Sequence, residues 1–466
     1  MPQPPNILFI TADDMGGTTP GAFGGPDGVT PALDALAAEG AVFDRAHVAI
    51  AVCQPSRSAI MTGRWPHRNG AEGFERIRDD VPLLTSVLAA EGYAVGILGK
   101  VAHLQPVERF GWDTAVDMAE LGMGRDPGRY ADEMRGFLAD AADQPWFLMV
   151  NAHDPHRPFH GADDVGRFFD DQQRAGIPAP SRVFAPGEAQ PPGYLPDLPA
   201  VRTEYAQYLS SARRCDDVVR AALGVLDESG AAADTLVVFL SDNGMAFPFA
   251  KANCYLQSTQ TPLVVRWPGR VAAGRREREA FVSVLDLFAT FCEVAGADAP
   301  GSDGASLVPL LTGTGTATDT GTAGGDHVVT VFHETAMKGR YEMRCVQDAA
   351  VGYVWNGWAD GEQAYRAENM TGLTWAAMVA AAGSDPELAE RVAAYQRRPA
   401  EELYDLRDDP HSLRNLADDP ARAAELDDKR RVLRAWMVAT GDPQLAAFEG
   451  LLCGHGHAPG TVTVGG

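Results

Sequence analysis

Four short apolar runs constrain this chain more than any other feature, because each ends in residues that apolar cores reject. The runs are Asn6–Thr11 (NILFIT), Tyr93–Leu98 (YAVGIL), Trp146–Asn151 (WFLMVN) and Thr235–Leu240 (TLVVFL). Apolar runs of this length, with no polar alternation, suit parallel strands covered on both faces. Helical patterns lie between them. Thr30-Pro31 reads as an N-cap and first-turn proline with Gly40 as the stop, and Thr203 to about Leu226 is a long amphipathic pattern. The alternation predicts a doubly wound α/β domain. Asp13 and Asp14 follow the first run, and Lys100 and His103 follow the second. His153, Asp154 and His156 follow the third, and Asp242 and Asn243 the fourth. In such a sheet, ligand sites lie outside the carboxyl ends of the strands. One such pair is explained by a turn or a helix cap; four together predict a site.

The residue types at those ends are chemically coherent. Asp13, Asp14, Asp242 and Asn243 offer only oxygen ligands, which suits a hard cation, Ca²⁺ or Mg²⁺, better than zinc. Arg57, Lys100, Lys251 and the histidines are cationic or hydrogen-bond donors, suited to a tetrahedral anion. A cation and fixed positive groups around one oxyanion are what sulfuryl or phosphoryl transfer requires.

With 466 residues, the chain has room for a large catalytic domain and a smaller one. The reading places the first at 1–338 and the second, α+β, at 339–466. Thr312–Gly325 (TGTGTATDTGTAGG) reads as a flexible surface loop. His327–Phe332 reads as a strand, Arg340–Trp358 as a meander of short strands, and Pro420–Ala439 as a helix behind an Asp419 cap. The net charge of −24 disfavours nucleic acid and other long polyanions, so an anionic substrate is expected to be small or presented by one end. The start, MPQPPNILFITADD, lacks the basic and long apolar regions of a signal peptide and reads as a buried strand. No apolar run reaches membrane-spanning length, and the expectation is a soluble, cytoplasmic protein. Of six cysteines, none in CxxC spacing, five are expected to be buried small hydrophobes. Cys53 stands apart.

Cys53-Gln54-Pro55-Ser56-Arg57, continuing SAIMTGRWPHRNG, resembles the C-x-P-S-R…TGR signature of type I sulfatases. NILFITADDMG, GKVAH, HDPHRPF, SDNG, TPLVVRWPG and ELYDLRDDPHSLRNLA are similar to sulfatase segments in the family's order over nearly the whole length. The resemblance implies an alkaline-phosphatase-like doubly wound mixed sheet with a smaller C-terminal α+β domain. It also implies that a formylglycine-generating enzyme converts Cys53 to formylglycine during maturation. A hydrated aldehyde has two hydroxyls on one carbon: one attacks sulfur, and the other loses its proton to expel sulfate. The resemblance further implies a Ca²⁺ (or Mg²⁺) held by Asp13, Asp14, Asp242, Asn243 and the modified Cys53. Arg57 and Lys100 would hold the formylglycine and His103 would move its proton. His156 and Lys251 would bind sulfate and help protonate the leaving group. One departure concerns Gly99-Lys100-Val101-Ala102-His103, which has one residue more than the usual GK-x-H.

Within the family, several patches look most like the heparan N-sulfatase branch. They are His153 to Arg157, Ser241 to Gly244 with Phe247-Pro248, Asn253-Cys254-Tyr255, His333-Glu334 and Met343 to Gln347. That similarity implies an N- or O-sulfated amino sugar, touched by His153, Asp154, Glu334 and Arg344. The alternatives are an aryl or alkyl sulfatase, a phosphonate or phosphate monoester hydrolase on the same scaffold, and a non-catalytic binding protein.

Overall fold

The computed structural model describes residues 4–163, 165–315 and 325–454. Most of the loop expected at 312–325 therefore lies outside the described residues.

The four apolar runs are four adjacent strands of one sheet: Asn6–Ala12, Ala94–Leu98, Trp146–Asn151 and Thr235–Ser241. The eight-stranded order begins with Thr114–Val116, Ala94–Leu98, Trp146–Asn151 and Asn6–Ala12. It continues with Thr235–Ser241, Leu263–Arg266, Ala41–Phe43 and Arg275–Glu277. Leu263–Arg266 runs antiparallel to both neighbours and the other pairings are parallel, which makes the sheet mixed. The register levels the carboxyl ends: Thr11 lies beside Asn151 and Leu240, Ala12 beside Ser241, and Leu98 beside Val150. Residues 13, 100, 153 and 242 consequently leave the sheet at nearly one height.

The long helix is Pro199–Glu228, four residues earlier at its start than the amphipathic pattern suggests, because Pro199 is tolerated in a first helical turn. Helix Cys53–Thr62 is buried along its entire length. Its apolar periodicity is weak because its small and polar residues face other protein on every side. Gly63 ends it at φ 62°, and a Cβ there would fall 2.7 Å from Phe288 Cβ, so glycine serves both the turn and the packing.

A second, antiparallel sheet is built from His327–Glu334, Arg340–Asp348, Val351–Asn356 and Glu401–Asp405. The turn between its first two strands contains the expected 338/339 division, so this sheet takes its first strand from the earlier segment. The meander expected over 340–358 is a hairpin of two longer strands. The C-terminal helix is Ala423–Thr440, preceded by a 3-10 turn at Pro420–Arg422 capped by Asp419. This sheet is joined to the catalytic side: Val331 N donates to Ala49 O (2.8 Å), just upstream of Cys53. Cys215, Cys254, Cys292 and Cys345 are buried as expected. Cys453 is exposed, a correction: it lies near the end of helix Leu445–Gly454, on the face away from Phe448 and Leu452. No helix among the described residues is long and apolar enough to cross a membrane.

Candidate functional site

The strand ends converge on the first turn of helix Cys53–Thr62. Asp13 and Asp14 are fully buried immediately after the first strand, and Asp14 adopts φ 68°, a conformation that Asp and Asn tolerate better than most residues. Gly99 and Lys100 both take positive φ, which turns the chain back at the end of the second strand. A Cβ on Gly99 would lie 2.5 Å from Asn151 O. Lys100, almost wholly buried, forms an ion pair with Asp13 Oδ2. The extra residue before His103 is absorbed by a 3-10 turn, in which His103 N donates to Lys100 O (3.0 Å). His103 stays within reach of the charges of Lys100, Asp13, Arg57 and His156.

Arg57, one helical turn beyond Cys53, spends its donors on the scaffold. Nε and Nη2 reach Asp242 Oδ2 (2.9 and 2.8 Å), and Nη1 donates to Thr11 Oγ1 (3.0 Å) and Asn151 Oδ1 (2.6 Å). Asn151 completes the brace by donating to the carbonyls of Leu98 and Gly99. Asn151 was not among the sequence candidates; a polar residue closing the run WFLMVN was the available signal. Lys251 sits on a compact turn, with its backbone N on Met245 O (2.9 Å) and Ala252 N on Ala51 O (2.8 Å), two residues before Cys53. Its Nζ meets Asp14 Oδ1 at 2.6 Å. Asn243 Nδ2 donates to the same oxygen (2.7 Å).

What these contacts leave open identifies the ligand chemistry. Oδ1 of Asp13, Oδ2 of Asp14 and Oδ1 of Asn243 are buried without a donor, and Oδ2 of Asp13 meets only the Lys100 ammonium. Buried acceptors of this kind are rare, and they call for a cation. Ligand atoms of Asp13, Asp14 and His156 also lie within 4.8 Å of one another. Each oxygen of Asp242 already accepts a hydrogen bond, Oδ2 from Arg57 and Oδ1 from Asp14 N (3.2 Å), so a metal would share it with them. The oxygen-rich donor set fits a divalent hard cation. His156 Nδ1 lies 2.5 Å from Arg157 O and donates to that carbonyl, which turns Nε2 toward Asp14 Oδ2 at 3.9 Å.

Burial lowers the basicity of the histidines here: His156 falls to about 4, and His103 and His153 lie well below their ordinary range. All three are neutral at pH 7 without a ligand. Burial opposes charge on Lys251 too, but Asp14 and its other acidic neighbours hold the ammonium charged. Burial raises the Cys53 thiol to about 11 despite Lys251 and Lys100, so the unmodified side chain is not a thiolate.

The four expected sugar contacts divide. His153 stands at the site, with Nδ1 3.7 Å from Asp13 Oδ2. Glu334 lies at the rim, paired with Lys338 Nζ at 3.1 Å. Asp154 is buried between Arg125 (Nε, 3.0 Å) and Arg214 (Nε, 2.5 Å), and its oxygens are committed there. Arg344 has no exposed surface; it donates to Asp442 (Nε, 2.6 Å; Nη2, 3.1 Å) and to the carbonyls of Met343 and Phe332. Asp154 and Arg344 are thus each held in internal ion pairs by counter-charges remote in sequence.

The family model described as Sulfatase matches residues 5–297. Human N-sulphoglucosamine sulphohydrolase is 31% identical, over 97% of this chain and 93% of that protein. A structure solved with its substrate, D-glucosamine-2-N,6-O-disulfate, superposes with a TM-score of 0.70 at 17% identity, covering 95% of this chain and 99% of that one. The phosphonate monoester hydrolase of Agrobacterium radiobacter shares the fold at a TM-score of 0.66 and 19% identity, over 94% of this chain and 96% of that one. The match over more than half the chain and the near full-length human relative place this chain in the sulfatase family, and it is a sulfuric ester hydrolase by that membership.

Proposed function

We propose that the protein removes sulfate from a small amino sugar, as a sulfamate or an ester, using formylglycine made from Cys53 by a formylglycine-generating enzyme, and Ca²⁺. The observation that carries the catalytic part is the set of donorless buried oxygens on Asp13, Asp14 and Asn243, beside a cysteine whose surroundings include Lys251, Asp13, Lys100 and Asp242. The amino-sugar part is supported by the human relative.

Asp13, Asp14, Asn243 and, sharing its oxygens, Asp242 would hold the cation. Bound there, it would supply positive charge to a sulfate oxygen and to the attacking oxygen. The modified side chain at 53 would supply a nucleophilic hydroxyl and a second hydroxyl for product release. Arg57 keeps the first turn of the helix and Asp242 in fixed relation through the Nε hydrogen bond and the ion pair to one carboxylate oxygen. Lys100 and Lys251 each pair with a carboxylate expected to bind the cation. With a cation held by Asp13 and Asp14, both ammonium groups would be available to sulfate oxygens. His156, neutral with Nδ1 donating to Arg157 O, presents Nε2 to the substrate side. His103 is similarly neutral and can accept a proton from the group at position 53.

The test is inorganic sulfate release from N-sulfoglucosamine beside a simple aryl sulfate, using protein whose Cys53 conversion is verified by peptide mass. A higher kcat/KM for the sulfamate, by roughly tenfold or more, is expected. Preference for the aryl ester removes the amino-sugar reading. Release from neither, with phosphonate monoesters cleaved instead, removes the sulfate reading of the site.

A further inference from the structure

Glu368 stands close to the catalytic lysine and has no part in the scheme above. It opens a 3-10 turn, Glu368–Met370. Its Oε2 accepts from Ala336 N (3.2 Å), while Oε1 is buried with no hydrogen-bond donor among the described residues. The side chain interacts electrostatically with Lys251 and Asp14, and burial raises its carboxyl above the ordinary range. Its position is rigidly set. The neighbouring Asn369 is fully buried, and its Nδ2 donates to Lys251 O (2.5 Å) and to Tyr395 Oη (2.9 Å). Tyr365 Oη donates to Ala252 O (2.5 Å). The segment carrying Glu368 is thus clamped to the turn carrying Lys251.

A chain of contacts links the turn around Glu368 back to the start of the Cys53 helix. The turn that contacts it, Thr335 to Lys338, also carries Lys338, which neutralises Glu334 and lies 4.4 Å from the centre of the Phe74 ring. Gly73 abuts Glu334 so closely that a Cβ would fall 2.7 Å from Oε1. Two residues on, Glu75 O accepts from Gln54 Nε2 (3.1 Å), next to Cys53. The rim therefore runs continuously from the nucleophile through Glu75, Gly73 and Glu334 to Glu368. Along it Glu334 has its counter-charge, and Glu368 keeps an oxygen without a donor.

We propose that Glu368 is a specificity-determining residue, selecting substrates whose leaving group carries a hydrogen-bond donor, above all a cationic one, and rejecting a second anionic group there. This rests on the proposed function insofar as sulfate is held by Lys100 and Lys251. A buried carboxylate oxygen without a donor is costly until a ligand supplies one. An ammonium or hydroxyl satisfies it, whereas a carboxylate or second sulfate meets like charge. The substrate class is consequently monosulfated and amine- or hydroxyl-bearing, not polysulfated or uronate-flanked.

The experiment compares three aryl sulfates carrying aminomethyl, methyl or carboxylate meta to the ester oxygen, at pH 7 and 0.15 M salt, with Cys53 conversion verified. The readout is the ratio of kcat/KM for the cationic over the anionic ester, which cancels any general loss of activity. The native protein is expected to give a ratio of roughly ten or more. Glu368→Gln should bring it close to one, with Glu368→Asp in between. A native ratio at or below one overturns the proposal. So does a Glu368→Gln ratio equal to the native one; a uniform fall over the three esters would then make Glu368 a support for the Lys251 turn. Because the esters contain no sugar, the ratio is decided independently of whether an amino sugar is the substrate.

Discussion

At the carboxyl edge of the large sheet, Asp13, Asp14 and Asn243 are each buried with one oxygen that no donor reaches. In the C-terminal sheet, Arg344 and Asp442 are buried just as deeply, yet they close on each other through two hydrogen bonds. Glu401 and Arg430 do the same, at 2.8 and 2.5 Å. Both sets desolvate charge, but of the two only the first leaves oxygens open, whereas these pairs close on each other. A closed pair fixes one element on another, here the strand Arg340–Asp348 on the chain after the C-terminal helix. An open set is unfavourable until a ligand arrives, which is the condition for binding one.

Substitutions break this contrast in different observables. Cys53→Ala, at the open edge, should reduce sulfate release by about 10⁴-fold or more while leaving the melting temperature unchanged. Cys53→Ser should give at most one turnover, since serine lacks the second hydroxyl; sustained turnover by either variant counts against nucleophilic use of position 53. In the closed region, Arg344→Met should act on stability instead. It leaves Asp442 buried and unpaired, at a cost of about 3–5 kcal/mol by urea unfolding. The double change Arg344→Met/Asp442→Leu should recover most of that loss. A stable single variant with a lost preference for amino sugars would return Arg344 to the substrate. A smaller effect is expected at Asp14. Asn tolerates its positive φ, so Asp14→Asn should keep the fold and lose roughly 100-fold in Ca²⁺ affinity by calorimetry. Unchanged affinity would exclude Asp14 from the cation site.

The open edge was legible in the sequence, and the closed pairs were not, for a physical reason. Strand ends announce themselves locally: an apolar run stops, and the next residues are Asp13-Asp14, Lys100, His153 or Asp242-Asn243. The Cys53 motif is local as well. Whether a charged residue faces a ligand or a partner depends on residues far along the chain. Asp154 meets Arg125 and Arg214 at separations of 29 and 60 residues, and Arg344 meets Asp442 at 98. Nothing near Asp154 or Arg344 in sequence distinguishes them from the open set. Glu368 was hidden for the converse reason, because only the fold brings its turn onto the Lys251 loop. The sequence marks His327–Phe332 as a strand, but its partner across residue 338 is evident only from the pairing.

His67 gives the mildest way to test the closed region, through pH. Its ring packs edge-on against Trp436 (5.8 Å between centroids) near Arg344 and Asp442. Burial lowers it to about 4, with Arg344 and His333 acting in the same direction and Asp442 opposing. The folded state therefore binds fewer protons than the unfolded state between pH 6.5 and about 4. Its stabilising effect is fully present above pH 6.5 and is lost as pH falls through that window. At pH 5 the loss is about 2 kcal/mol, from about 1.4 kcal/mol per pH unit. His67→Phe keeps an aromatic ring against Trp436 and removes the titration. Its unfolding free energy should fall by about 2 kcal/mol less than that of the native protein between pH 7 and pH 5. Identical pH dependence in the two proteins would mean that acid enters the fold elsewhere. The paired carboxylates Asp442 and Glu342 are then the next groups to examine, since both are held below their ordinary range and lose their contribution only at lower pH.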